Sequence, residues 1–231
     1  MSEVHCQKVL KMYQMTENEI IKNTALFVRE SLKDAEGGHD WYHIQRVRNL
    51  ALHIGEKEKC DLFVVELAAL LHDIADYKFN DGDENAGPEK AADFLGNLGV
   101  NKEITKHVVE IIRHISFKGG NNGSPVESVE FKVVQDADRL DAIGAIGIAR
   151  TFNYGGFRNR ALYDPDILPE KNHTKKSYMN STAPTINHFY EKLLLLKDRM
   201  NTKTAKNIAE KRHAIMENFL DEFFKEWEGS Y

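Results

Sequence analysis

Apolar residues recur at intervals of three and four along most of this 231-residue chain, which is the period of an amphipathic α-helix. The first such stretch begins at Thr16, where Glu19 stands at the spacing of a capping box, and it ends at Gly37-Gly38. Further helices are predicted to begin near Asp40, Asp61, Pro88 and Asn101. No stretch shows the strict alternation of apolar and polar residues that is typical of a half-buried strand. The pattern therefore predicts an all-α fold.

The second half of the chain mixes helical and irregular patterns. Residues 126–152 are predicted to form a long, partly buried helical stretch, and residues 153–183 an irregular loop. Helical periodicity returns from Pro184 to Met200, and a last helix begins at Thr202 or Thr204. A loop of this length is usually functional or disordered, and it is left open between a lid, a base-stacking wall and ordinary packing. We predict one domain over residues 1–231, with a core at about 16–152 and C-terminal helices over 184–228.

Composition restricts the classes of function. The net charge of -5 argues against general affinity for nucleic acid polymers. Two cysteines, Cys6 and Cys60, fit a reducing compartment and no disulfide framework. The first ten residues lack the continuous apolar core of a signal peptide, and there is no run of about 18 apolar residues. We expect a soluble, cytoplasmic protein that does not associate with membranes.

Four titratable side chains lie on or beside the apolar faces of successive predicted helices: His43, His72, Asp73 and Asp138. Each has an ordinary structural interpretation. A buried histidine is usually hydrogen-bonded within a core, and Asp138 could cap a helix or pair with Arg139. Together, four buried titratable groups would each need a separate explanation. A shared metal ion explains all of them, because neutral His and ionised Asp are both good ligands.

These residues also carry a resemblance to a known family. The order His43, then His72-Asp73, then Asp138 resembles the H…HD…D signature of the HD-domain metal-dependent phosphohydrolases. Residues 39–47, 71–79 and 134–142 resemble the YedJ/YpgQ-like branch, and the resemblance extends to residues 188–194. It implies an HD-domain helical bundle, a divalent metal held by the four residues, and hydrolysis of phosphate esters or anhydrides. The branch further implies a (deoxy)nucleoside triphosphate pyrophosphohydrolase that releases nucleoside monophosphate and pyrophosphate.

Two imidazoles and two carboxylates leave open positions on a metal for water and a phosphate oxygen. The mixed nitrogen and oxygen set favours Mn, Co, Zn, Fe or Ni over Mg, and the family resemblance makes Mn²⁺ our choice. Some HD enzymes bind a second metal through two histidines of the following helix. His107 and His114 are seven residues apart, about 20 degrees from the same helical face. We favour a single metal, with His114 contacting the substrate phosphate.

Residues for proton transfer and phosphate binding are predicted around this centre. By the resemblance, Asp76 is the candidate proton shuttle, and capping a helix or pairing with Lys78 is an equal alternative. Asp81 could join it from the next loop, although a solvated loop charge is the favoured interpretation. A triphosphate also needs positively charged or hydrogen-bond-donating partners. The expected substrate-binding residues are Arg46, Lys78, His114, His188 and Lys192, the last two forming an i, i+4 pair on one helix face.

Two other functions stay open. One is a nucleotide phosphomonoesterase or phosphodiesterase that uses the same metal site, and the other is a non-catalytic module that senses a nucleotide. The expected partner in each case is a small nucleotide. The C-terminal helix, rich in Phe, Leu and Trp, is left open between a core element and the face of a homodimer.

Overall fold

The computed structural model describes residues 15–33, 40–74, 85–115, 126–170 and 181–230. Over these ranges the chain is helical and contains no β-strand, which confirms the all-α prediction. The α-helices are α1 (Glu17–Ser31), α2 (Trp41–Glu58), α3 (Leu62–Leu71), α4 (Ala86–Asn97), α5 (Lys102–Ile115), α6 (Val129–Asp141), α7 (Gly144–Phe157), α8 (Asn187–Glu191) and α9 (Lys203–Glu228). A 3₁₀-helix over Leu193–Arg199 lies between the last two.

Side-chain caps fix where several of these helices begin. Thr16 and Glu19 form the predicted capping box at α1, and the Asp40 and Asp61 carboxylates accept hydrogen bonds from the first turns of α2 and α3. The Asn101 side chain accepts one from the Glu103 N–H at the start of α5. Of the two candidates for the start of the last helix, Thr202 is the N-cap. The polar N-cap residues of the sequence therefore predicted correctly where these helices begin.

The predicted helical stretch over 126–152 is not one continuous helix, because it is broken after Asp141. Ile143 has an extended backbone, and Gly144 adopts φ +76°, a conformation that an L side chain rarely adopts. A new helix then runs on to Phe157, so the irregular segment begins five residues later than predicted. The break turns the chain between α6 and α7, and both helices contribute to the site described below.

The predicted helix from Pro184 to Met200 is also wrong. The α8 helix ends at Glu191, Lys192 has φ −142° and ψ −56°, and a 3₁₀-helix follows. This segment contains four consecutive leucines, a run without the 3.6-residue period. Three residues per turn place Leu193 and Leu196 on one buried face and leave Leu195 exposed. His188 lies within α8, and Lys192 is the C-cap of that helix, where its backbone N–H donates to the His188 carbonyl at 3.0 Å.

Helix α3 lies at the centre of the bundle. From Val64 to Leu71, every residue except Glu66 is buried, so the helix is apolar on almost all sides. It packs against α1, α2, α5 and α6. Its C-terminal end therefore delivers His72 and Asp73 to the region where α2 and α6 meet.

The C-terminal helices pack onto α6 and α7. Phe189 is fully buried, and its ring lies 5.7 Å from that of Phe219 on α9. A second attachment is polar, because the buried carboxylate of Asp136 accepts hydrogen bonds from the N–H groups of Asn201 and Thr202, at 2.9 and 2.8 Å. Within the described residues, no helix is long and apolar enough to cross a membrane.

Candidate metal centre

Three helices bring the four predicted ligands together. His43 lies in the first turn of α2, where its backbone N–H donates to the Asp40 carboxylate at 2.9 Å. His72 caps the C-terminal end of α3 and Asp73 follows it, while Asp138 lies on α6. Because α2 packs against both α3 and α6, side chains 95 residues apart in sequence (His43 to Asp138) point into one space.

The distances between these groups are short. The Nε2 atoms of His43 and His72 are 3.3 Å apart, and ligand atoms of His43, His72 and Asp73 all lie within 4.8 Å of one another. A carboxylate oxygen of Asp138 lies 3.6 Å from His43 Nε2 and 3.8 Å from His72 Nε2. The structure thus groups His43, His72 and Asp73 as potential ligands of one ion, and it places the more exposed Asp138 beside the two imidazoles but outside that group.

Hydrogen bonds on the far side of each ring determine which nitrogen carries the proton. His43 Nδ1 lies 2.8 Å from a carboxylate oxygen of Asp141, and His72 Nδ1 lies 2.9 Å from the carbonyl oxygen of Ala69. An ionised carboxylate and a carbonyl can only accept, so both histidines must donate from Nδ1. In the neutral rings, both Nε2 lone pairs therefore face each other across 3.3 Å.

This arrangement fits a bound cation. Two opposed lone pairs repel each other unless a positive charge lies between them. Ligands about 2.1 Å from one ion stand roughly 3.0 to 3.4 Å apart at octahedral to tetrahedral angles, close to the observed nitrogen separation. Metal-bound histidines also usually donate their other N–H to a carboxylate or a backbone carbonyl, as both do here.

The Asp141 carboxylate is the most heavily hydrogen-bonded group near the site. Arg46 donates to it through Nε at 2.7 Å and Nη2 at 3.0 Å, and Arg150 donates through Nη1 at 2.7 Å. Burial alone would raise the pKa of Asp141, but the hydrogen bonds from His43 and Arg46 and the charge of Arg150 outweigh it and hold the pKa far below the usual range. Asp141 is therefore a permanent anion.

Burial lowers the pKa of His43, and the hydrogen bond to Asp141 opposes that change. The positive charge of Arg150 lowers the pKa further. The net result favours a neutral imidazole, which is the form that binds a metal.

The remaining predicted residues have different surroundings. Arg46 is engaged with Asp141, as described above. His114 lies 3.7 Å from Glu110 on its own helix, and His107 shares a hydrogen bond of 2.9 Å with Ser128. Among the residues that the structure describes, neither belongs to a group of three potential metal ligands. His188 and Lys192 lie on α8 and at its end, and Asp76, Lys78 and Asp81 fall outside the described residues.

Sequence reasoning overlooked Asp141 and Arg150. Asp141 follows Asp138 by three residues on the same helix, so the helical period could have placed it on the ligand side. Arg150 offered no comparable signal, because it lies beyond the helix break at Gly144.

The comparisons with known proteins agree with this geometry. Residues 40–143 match the sequence model of the HD domain family. The chain is 43% identical over 204 residues to the uncharacterized protein YpgQ of Bacillus subtilis (strain 168), covering 88% of this chain and 91% of YpgQ. Among solved structures, a HD-superfamily hydrolase from Bacillus thuringiensis is 47% identical, with a TM-score of 0.73 over 92% of this chain and 99% of that one. The structure of Bacillus subtilis YpgQ in complex with ADP is 40% identical, with a TM-score of 0.74 over 92% of this chain and 97% of that one.

Proposed function

The chain belongs to the HD domain family and is a metal-dependent hydrolase, and from this premise we propose that it cleaves (deoxy)nucleoside triphosphates to nucleoside monophosphate and pyrophosphate. The observation that carries the proposal is the pair of opposed Nε2 lone pairs, 3.3 Å apart and flanked by two carboxylates. Such a site favours a divalent cation, and phosphoanhydride hydrolysis is chemistry that a divalent cation serves well. The ADP complex of Bacillus subtilis YpgQ supports a nucleotide as the substrate class.

The metal ligands in this proposal are His43, His72, Asp73 and Asp138. Our preferred ion is Mn²⁺, with Co, Zn, Fe or Ni as substitutes. Held by these residues, such an ion would supply Lewis-acid polarisation of a phosphoryl oxygen and would favour deprotonation of the attacking water. The two histidine rings are oriented through their Nδ1–H bonds to Asp141 and Ala69.

Solvent exposure indicates the side from which a substrate reaches the site. The side chains of the two histidines are almost fully buried, that of Asp73 is 15% exposed and that of Asp138 is 37% exposed. The centre therefore opens on the side of its carboxylates. A substrate phosphate approaches from there, with the histidine rings forming the floor.

Local charge favours an anionic ligand. The Asp141 carboxylate carries two guanidinium groups, those of Arg46 and Arg150, which leaves this cluster with a net charge of +1. Two ligand carboxylates and a divalent ion would be neutral together. With such an ion bound, the two guanidinium groups would favour a polyphosphate over a neutral substrate.

Further residues complete the proposal at a coarser level. Asp76 is the proposed proton shuttle, with Asp81 as a second candidate, and Lys78 follows the metal motif directly. His114, His188 and Lys192 are proposed to contact the substrate together with Arg46. None of these roles follows from the contacts of the described residues, and each stays a prediction.

Purified protein loaded with Mn²⁺ is expected to release pyrophosphate and a nucleoside monophosphate from at least one nucleoside triphosphate in a panel of ribo- and deoxyribonucleotides. Products are identified by ³¹P NMR, which separates pyrophosphate from orthophosphate. The His72→Ala protein, prepared in parallel, controls for contaminating phosphatases. Orthophosphate from monophosphates, or opening of cyclic nucleotides, would replace the proposal with a phosphomonoesterase or phosphodiesterase. Absence of any product with metal bound would support the nucleotide-sensing module instead.

A further inference from the structure

We propose that Asp141 is a positioning residue, anchored by Arg46 and Arg150, that holds the His43 imidazole in the orientation and tautomer needed to bind the metal. The inference rests on the proposed ligand role of His43. It assigns Asp141 a role through His43 and no direct contact with the substrate.

The anchoring is geometric. Arg46 donates to both carboxylate oxygens of Asp141, from Nε to Oδ1 at 2.7 Å and from Nη2 to Oδ2 at 3.0 Å. This pair of hydrogen bonds fixes the plane of the carboxylate. Arg150 approaches Asp141 from α7 and also donates to its backbone carbonyl, at 3.3 Å. A carboxylate held from α2 and α7 while it is itself attached to α6 cannot turn without breaking several charge-assisted hydrogen bonds.

The chemistry of the acceptor then determines the tautomer. The side chain of Asp141 is 1% exposed, and two guanidinium groups keep it ionised, so it has no proton to give. Its 2.8 Å contact with His43 therefore requires a proton on Nδ1. The Nε2 lone pair is left pointing at His72 and the two ligand carboxylates.

The two histidines reach the same result by different means. His72 uses the Ala69 carbonyl of its own helix, so its orientation is set by the local backbone. His43 instead depends on the side chain of Asp141, 98 residues away on α6, which is itself held by Arg150 from α7. A substitution at Asp141 can therefore remove the hydrogen bond that orients His43. No substitution can do the same for His72, because its acceptor is a backbone carbonyl.

The Asp141→Asn substitution tests this role with little change in volume. An asparagine offers one neutral oxygen where Asp141 offers two charged ones, so His43 Nδ1–H must share that oxygen with the guanidinium donors of Arg46 and Arg150. The alternative orientation turns the NH₂ group toward His43 and moves the ring proton to Nε2, and either outcome loosens the hold on the imidazole. We expect the dissociation constant for Mn²⁺, measured by calorimetric titration, to rise about 10- to 100-fold, the usual cost of losing such a partner. The full-length protein is used throughout.

Glu66→Gln is the matched control. Glu66 on α3 pairs with Arg48 on α2 and has a side chain 17% exposed, but it touches neither histidine. This variant also loses a carboxylate–arginine pair between two helices. Its Mn²⁺ dissociation constant is expected to stay within about twofold of the unmodified protein, even if its melting temperature falls.

A second measurement needs no variant and so does not depend on Asp141→Asn folding. In the unmodified, metal-free protein, long-range ¹H–¹⁵N NMR of the histidine rings is expected to show His43 protonated at Nδ1. An unprotonated Nδ1 would overturn the inference, as would Asp141→Asn protein that binds Mn²⁺ as tightly as the unmodified protein. Failure of the unmodified protein itself to bind Mn²⁺ would instead refute the proposed metal site.

Discussion

Replacing His72 with alanine is expected to abolish stoichiometric metal binding and to lower turnover at least about 1000-fold. The substitution removes one of two nitrogens at the floor of the site. A lost contribution of about 4 kcal/mol to transition-state stabilisation corresponds to three factors of ten in rate. Asp73→Ala is expected to act similarly, since it removes an adjacent carboxylate. Metal content of the dialysed protein and initial rates of pyrophosphate release provide the measurements.

The fold is expected to survive both substitutions. His72 and Asp73 follow the last turn of α3, and the apolar residues that fill the core precede them. Helical content measured by circular dichroism should therefore stay close to that of the unmodified protein. His53→Ala is the matched control, because His53 is an exposed histidine on α2 and should retain metal and activity. Full metal content in either site variant would show that the ligands are assigned wrongly.

Replacing Asp136 with alanine is expected to lower the free energy of unfolding by about 3 kcal/mol. The carboxylate accepts hydrogen bonds from the N–H groups of Asn201 and Thr202 and from the Thr202 hydroxyl at 2.9 Å. Burial raises the pKa of Asp136, and these donors oppose the rise, so the bonds offset part of the cost of burying the carboxyl. Alanine leaves the donors without an acceptor inside the protein, and urea unfolding followed by circular dichroism measures the loss.

Asp198→Ala provides the comparison for that variant. Asp198 lies in the 3₁₀-helix just before the segment that Asp136 binds, and it is exposed. Its replacement should change the unfolding free energy by no more than about 0.5 kcal/mol. Equal stability of the Asp136→Ala and unmodified proteins would show that Asp136 does not anchor the C-terminal helices.

The sequence could indicate the four proposed ligands because each of them has a local signature. Each of His43, His72 and Asp138 lies on or beside an apolar helical stripe, and a helix period is visible without knowing the tertiary structure. The inference that residues on separate helices bind one metal came from the family resemblance, because the apolar stripe of a single helix carries no such information. The starts of α1 and α2 were predictable for the same reason, because the N-caps Thr16 and Asp40 are recognisable from the neighbouring sequence alone.

Arg150 shows why the supporting residues were harder to predict. In one continuous helix, nine residues would turn Arg150 about 180 degrees away from Asp141. The extended Ile143 and the left-handed Gly144 redirect the chain, and Arg150 returns to donate to Asp141 at 2.7 Å. Without knowledge of this break, the pairing of Arg150 with Asp141 could not be predicted from a helical stretch over 126–152. The leucine run at 193–196 was mispredicted for another reason. It was expected to be buried in an α-helix, and it is partly buried, but it forms a 3₁₀-helix.

The way α6 uses its two sides has a consequence for how this protein can be shortened or recombined. Asp138 and Asp141 lie beside the candidate metal centre, while Asp136 accepts hydrogen bonds from the start of α9 and Arg139 donates to the carbonyl of Arg199. Residues 40–143, the stretch matched by the family, contain all four proposed ligands but neither Arg150 nor the partners of Asp136. A fragment cut at those limits would keep every proposed ligand and Arg46, but it would lose Arg150, the second arginine that binds Asp141, and the residues that donate to Asp136. A shortened or exchanged segment that keeps both sets of contacts would therefore have to extend to the start of α9.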